Sequence, residues 1–283
     1  MDAIRLGCVK YLNTLPLIEG LQACKGVAMT SAVPAKLIGM LERDEVDLAL
    51  ASVIDAARSS VEVALVPVGM IGCDGSTMTV RLFSSVPIGQ LDEVCADTDS
   101  HTSTALLQVI LNKKLGKRVR VVEFDARERV AVGNAGAAGE EWPRAMLLIG
   151  DKVVTDSPPA VRYPHQMDLG AAWKELTGRP FVYATWMCRA DRVDDPRVRV
   201  GAALLERQRL HNRTRLDWIV GARAAERHWP EDLAREYLGE RLRFEVGAEE
   251  RGAVEVFLND AAALGLAPRT RVRWAEHAAG AAR

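Results

Sequence analysis

Short apolar runs alternate with stretches of helical periodicity through the first two-thirds of the chain. Residues 4–9, 27–33, 48–53 and 61–68 are apolar enough to predict buried strands. Between them, residues 16–24 predict a helix with proline in its first turn, and Pro34 opens a second helix whose Leu37, Ile38 and Leu41 share one face. This alternation predicts an α/β sheet with helices packed on it. Residues 77–84 read as an extended crossing to a second unit, with strands at 93–96, 119–124 and 145–149. A helix at 103–115 presents Leu106, Leu107, Ile110 and Leu111 as its apolar face. Residues 133–141 (GNAGAAGEE) read as a flexible turn, and 151–167, with three prolines, as a loop. Residues 181–188 read as a strand returning to the first unit, followed by candidate helices at 198–211, 213–228, 230–240 and 249–264. The expected architecture is therefore two α/β lobes. Residues 1–84 and 186–283 form the first, residues 85–185 form an inserted second, and the C-terminal helices complete the first. Two crossings make a hinge, and the cleft between the lobes is the expected ligand site.

Composition narrows the class. A length of 283 residues suits about two domains. A formal net charge of -1 argues against a nucleic-acid partner, and 5% aromatic residues leave few stacking platforms for single strands. All eight lysines lie at or before Lys174, while 18 of the 29 arginines fall in 189–283 beside 16 acidic residues, which predicts salt-bridged solvated helix faces there. Cys8, Cys24, Cys73, Cys95 and Cys188 are scattered and form no CxxC, so neither a disulfide framework nor a zinc site is expected. No apolar run approaches the ~18 residues of a membrane span, and the N-terminus lacks the pattern of a secretory signal. The expectation is a cytoplasmic soluble protein, monomer or homodimer, with no membrane partner.

Standard catalytic signatures are missing. The sequence has no HExxH, no GxGxxG after the first strand, no GxxxxGK[ST] and no GxSxG. No cofactor or metal is expected. What remains is hydroxyl and amide chemistry where strands end and helices begin. Tyr11-Leu12-Asn13-Thr14 follows the first strand directly and precedes Pro16, where a turn and helix cap account for Asn13 and Thr14. A ligand contact at a carboxyl strand end accounts for Asn13 as well. Ser76 and Thr77 lie in the loop Gly72–Thr79, which is either a surface turn or an anion cradle. Asp99-Ser100-His101-Thr102-Ser103-Thr104 opens the apolar helix with more donors than a cap needs, and a helix start with free amides suits a carboxylate. Ala49, Ala51 and Ser52, and Gly150 with Asp151, end two further strands; their small size admits either a ligand or a packed helix.

The residues then become recognisable. IRLGCVKYLNTLPLIEGL at the start resembles the signature of the chorismate dehydratases of the futalosine route to menaquinone. The resemblance continues through PAKLIGMLERDEVDLALASV, SHTSTALLQVILNKKLG, LLIGDKVV and DLGAAWKELTGRPFVYATW, covering residues 4–188 in blocks. Where that family often has a Ser-Val pair, this chain has Ser76-Thr77-Met78-Thr79 and Ser103-Thr104, which keeps the hydroxyl character. The resemblance implies a type II periplasmic-binding-protein-like fold with an interlobe cleft, used as a cofactor-free cytoplasmic lyase. It would convert chorismate to 3-[(1-carboxyvinyl)oxy]benzoate and water. On that reading Asn13 is catalytic and orients the substrate or its leaving hydroxyl. Ser100, Thr102 and Ser103 bind the ring carboxylate, Ser76 and Thr77 bind the other, and Ser52 and Gly150 are further substrate contacts. The alternatives are a non-catalytic binder of small carboxylates and the sister cyclase of the same pathway.

Overall fold

Hydrogen bonding sorts the strands into two sheets. The structure, a computed structural model, describes residues 3–97, 99–124 and 143–275, so the turn expected at 133–141 lies outside it. The strands are β1 (Ile4–Cys8), β2 (Val27–Ser31), β3 (Leu48–Ser52), β4 (Val63–Cys73), β5 (Val80–Ser84), β6 (Glu93–Asp97), β7 (Arg120–Phe124), β8 (Ala145–Ile149), β9 (His165–Asp168), β10 (Phe181–Arg189) and β11 (Leu242–Arg243). The first sheet has the order β11-β4-β10-β3-β1-β2, and the second the order β7-β6-β8-β5-β9. β1 runs parallel to β2 and β3, whereas β10 lies antiparallel between β3 and β4. Every residue of β3 and of β8 is buried, which is why both read as unbroken apolar runs.

The connections are helices, as the periodicity predicts. α1 (Leu15–Ile18) is one turn, because Gly20 at φ +93° breaks the helix expected over 16–24 and the chain continues as a 3-10 turn at Leu21–Ala23. α2 (Pro34–Glu42) crosses from β2 to β3 with Leu37, Met40 and Leu41 buried. α3 (Asp55–Arg58) follows β3. α4 (His101–Leu115) is capped by Ser100, whose side chain accepts from the Ser103 amide, and ends at Gly116. The segment expected as a loop holds α5 (Lys152–Thr155) and the start of β9, a half-exposed edge strand whose polar sequence carries no alternation. α6 (Leu169–Thr177) was not expected; Asp168 caps it and Gly178 closes it. After β10 come α7 (Pro196–Arg213), α8 (Leu216–Arg223), α9 (Glu231–Glu236) and α10 (Ala248–Ala263). α9 runs into a π-helical turn at Tyr237–Arg241.

Two details depart from the expected division. β5 pairs with β8 and β9, so the first crossing falls before Val80 and residues 80–84 belong to the second sheet. β10 joins the first sheet from Phe181 onward, ahead of the expected boundary at 186. α10 also does more than complete the first lobe. Its Val254, Phe257 and Leu258 share one buried core with Leu106 and Ile110 of α4 and with Phe181 of β10. Lys113 of α4 pairs with Asp260 at 3.1 Å. Phe181 sits edge-on to Trp173, Phe257 and Tyr183 with centroids 5.3, 5.0 and 4.7 Å apart, which fixes the returning strand at the crossing.

Candidate functional site

The ends of β1, β3 and β4 meet the start of α4 and the end of β8 around a cavity of about 60 Å³. The first sheet contributes Val9, Tyr11, Asn13, Leu50, Ser52, Ile71, Tyr183 and Ala184; the second lobe contributes Val80, Ser100, Ser103, Ile149 and Gly150. Thr77 and Thr79 come from the crossing, and Tyr237 comes from the π-helical turn. Among the described residues no Asp, Glu, Lys, Arg or His lines this space. Its polar groups are hydroxyls, one amide and backbone.

Of the residues proposed from sequence, Asn13, Ser52, Thr77, Ser100, Ser103 and Gly150 face this cavity. Ser76 and Thr102 do not. The Ser76 hydroxyl donates to Asp168 Oδ2 at 2.8 Å, a partner 92 positions away that no local pattern could reveal. Thr102 lies on α4 between Ser100 and Ser103, and the ~100° advance per helical residue turns it off their face. Its Oγ1 instead accepts from the Ile54 amide at 3.3 Å, fully buried where the lobes touch. Ser100 fills both roles considered for it: its Oγ accepts from the Ser103 amide at 3.2 Å and donates to Ser103 Oγ at 3.0 Å. That leaves the Ser103 proton for a ligand.

Asp168 shapes the loop that carries Thr77. Its carboxylate accepts from the Thr77 and Met78 amides at 3.0 and 2.7 Å and caps α6 through the Ala171 amide at 3.0 Å. α6 approaches this loop so closely that a Cβ on Gly170 would stand 2.5 Å from the Gly75 carbonyl and 2.6 Å from Cys73 Sγ. Gly170→Ala is therefore expected to cost about 2–3 kcal/mol, at the upper end of overpacking. Urea unfolding reads this, and an unchanged midpoint would show that the loop yields freely.

Four contacts bridge the lobes beside the cavity. Tyr11 Oη donates to Asp99 Oδ2 at 2.8 Å, and the Leu12 amide donates to Asp151 at 3.3 Å. Thr102 meets Ile54, as above, and His101 Nδ1 lies 2.8 Å from Asp55 Oδ1. His101 is thus a lobe tie, away from the cavity. Behind Tyr11, Lys152 Nζ reaches Asp99 Oδ2 at 2.9 Å and pairs with Asp97. Burial lifts the Asp97 carboxyl above its ordinary range, with Lys152 opposing. Burial also pushes the phenols of Tyr183 and Tyr237 well up, and the Cys73 thiol up to about 12. Tyr183 and Tyr237 thus face the cavity as neutral phenols near pH 7.

Tyr11, Thr79, Tyr183 and Tyr237 were not nominated from sequence. Tyr11 and Tyr183 stand inside the recognisable blocks, whereas Tyr237 has no local signal at all. Its hydroxyl lies 2.6 Å from Thr79 Oγ1 and accepts from Asn13 Nδ2 at 3.3 Å. Asn13 Oδ1 is buried without a protein partner. Among the described residues no cluster of three or more His, Cys, Asp or Glu could hold a metal ion. None of the described helices is long and apolar enough to cross a membrane.

The cavity between the lobes is lined by neutral polar groups, and comparison with known proteins gives it a context. The family described as menaquinone biosynthesis matches residues 4–263. The chain belongs to this family. Within the same field, the chorismate dehydratase of Thermus thermophilus is 30% identical over 221 residues, spanning 72% of this chain and 76% of that protein. The menaquinone biosynthesis family member also shares its fold with solved structures of low identity. A Candida albicans gene product with the generic periplasmic binding protein fold aligns with TM-score 0.69 at 10% identity, covering 96% of this chain and 92% of that one. The alkanesulfonate-binding protein of Xanthomonas axonopodis pv. citri, bound to MOPS, aligns with TM-score 0.64 at 16% identity, covering 95% of each chain. The fold is the two-lobed periplasmic-binding-protein-like α/β architecture expected from the sequence.

Proposed function

We propose that this protein is a chorismate dehydratase, a hydro-lyase that forms 3-[(1-carboxyvinyl)oxy]benzoate and water. The observation that carries the reading is the cavity itself: Asn13 faces a ring of hydroxyls between the lobes, with no charged side chain beside it among the described residues. The reading places the protein in the cytoplasm, in the futalosine route, working without metal or cofactor.

The reaction needs little driving force from the protein, because loss of water makes the ring aromatic. The C–H bond at the ring carbon bearing the ether breaks, and its electron pair enters the ring. The C–O bond to the ring hydroxyl breaks, and the oxygen leaves with a proton as water. Charge builds toward the ring carboxylate in the transition state, where preorganised donors are worth most. Ser103, whose Oγ accepts from Ser100 and so keeps its own proton for the ligand, and the free amides at the start of α4 supply them. Thr77, beside Tyr183, meets the second carboxylate.

No Asp, Glu, Lys or His lines the cavity among the described residues, and burial holds the phenols of Tyr183 and Tyr237 protonated. The base in this proposal is the substrate's own enolpyruvyl carboxylate. A neighbouring cation would lower its basicity, and a cavity of neutral donors spares it that loss. Holding it against the C–H bond makes the transfer intramolecular. Incubating the purified protein with chorismate and following the benzoate product by chromatography tests the proposal. Binding without turnover would instead make this a carboxylate-binding module, and turnover of a dehypoxanthine futalosine alone would make it the sister cyclase.

A further inference from the structure

Asn13 is held at one end only. It sits in the 3-10 turn Leu12–Thr14 that ends β1, its Nδ2 donates to Tyr237 Oη at 3.3 Å, and its Oδ1 is buried with no protein partner. A buried acceptor without a donor is costly, and a ligand donor arriving in the cavity would satisfy it. Which end of the amide meets the ligand is therefore a matter of which end Tyr237 takes.

Tyr237 is built to make that choice. It is 1% exposed, and its ring stacks on Trp229 with centroids 5.0 Å apart and planes 10° from parallel. The π-helical turn that carries it brings the hydroxyl between Asn13 and Thr79 Oγ1, which lies 2.6 Å away. A phenol has one proton. When that proton goes to Thr79, the phenol oxygen offers Asn13 only lone pairs, and only the NH2 end of the amide can pair with it. The carbonyl end is then left for the ligand. Without the hydroxyl, both orientations of the amide become comparable, and the side chain presents a mixture of donor and acceptor.

We infer that Tyr237 is a positioning residue that, with Thr79, fixes the Asn13 amide with Oδ1 presented to a ligand hydroxyl. The inference deepens the dehydratase reading and rests on it only for the identity of that ligand. Accepting from the substrate's ring hydroxyl would set the rotor of that group, so that its oxygen lone pairs face away from Asn13 toward the arriving proton.

Tyr237→Phe keeps the stacked ring and removes the hydroxyl. It is expected to lower kcat on chorismate tens of fold while KM moves less than about threefold, and Thr79→Val should act in the same sense by several fold. In an Asn13→Ala background, Tyr237→Phe should change kcat less than twofold, because the group it positions is gone. Fully multiplicative losses would overturn the inference. A readout independent of turnover is the side-chain amide NMR signal of Asn13, assigned by its absence in Asn13→Ala. It should shift in both Tyr237→Phe and Thr79→Val. A signal that stays in place in both variants overturns the positioning role, whatever the substrate. If the signal shifts but the wild-type protein leaves chorismate unchanged, the dehydratase reading fails and the positioning role stands.

Discussion

Lys152→Met is expected to destabilise the fold by about 3–5 kcal/mol at neutral pH, the range for removing one member of a buried ion pair. Lys152 lies against two carboxylates, ion-paired to Asp97 and 2.9 Å from Asp99 Oδ2, and the three side chains are 11%, 1% and 12% exposed. Its removal leaves two buried negative charges with their shared cation gone. The loss should depend on pH in a definite direction. Burial already holds the Asp97 carboxyl above its ordinary value, and Lys152 pulls it back more strongly than the Asp99 amide does. In the variant the folded-state value rises further, so the native state binds protons more readily than the unfolded chain. Stability then falls as pH rises from the unfolded carboxylate value through the raised folded value. Unfolding in urea at about pH 4.5 and pH 7.5 should therefore show a smaller penalty at the lower pH. A penalty equal at both, or below about 1 kcal/mol, would mean the cluster is hydrated and weakly coupled. The effect should also reach the cavity, since Asp99 receives the Tyr11 hydroxyl across the lobe contact and the Tyr11 ring is part of the cavity wall.

The elements that read most clearly from sequence are those whose residues answer to one environment. β3 and β8 are buried on both faces, and α4 buries Leu106, Leu107, Ile110 and Leu111 as its periodicity implies. Asn13, Ser100 and Ser103 face the cavity from a strand end and a helix start, which are local features of the chain. Side-chain direction was less accessible. Ser76 and Thr102 have the right chemistry at the right element ends, but one answers to Asp168 and the other to Ile54. Both partners are set by tertiary packing. The inserted β9 escapes notice because an edge strand with the sequence HQMD has no apolar face to announce it. Tyr237 lay furthest out of reach. It enters the cavity from a π-helical turn more than 200 residues after Asn13, and only the assembled first lobe brings the two together. Sequence reasoning thus finds the groups that a cleft holds by its own strand ends, and misses those supplied by elements folded over it.

Asn13→Ala is expected to lower kcat on chorismate by about 10²–10³-fold, the range for deleting one preorganised polar group in a water-excluded site. KM should rise less than about fivefold, because the carboxylates are held by other groups and Asn13 acts on the hydroxyl that leaves. The contrast with Asn13→Asp sharpens the argument. Aspartate keeps the size and one carbonyl-like oxygen but adds a negative charge to a cavity where no cation among the described residues can answer it. A dianionic substrate should then bind far more weakly, so Asn13→Asp is expected to lose in KM as well as kcat. If Asn13 merely gripped the ground state, alanine would lower kcat/KM through KM alone, with kcat kept. If it were a structural turn residue, both variants would lower the unfolding midpoint in step with activity. Only a group acting on the departing hydroxyl loses kcat in both variants, keeps KM in one and loses it in the other, at unchanged stability.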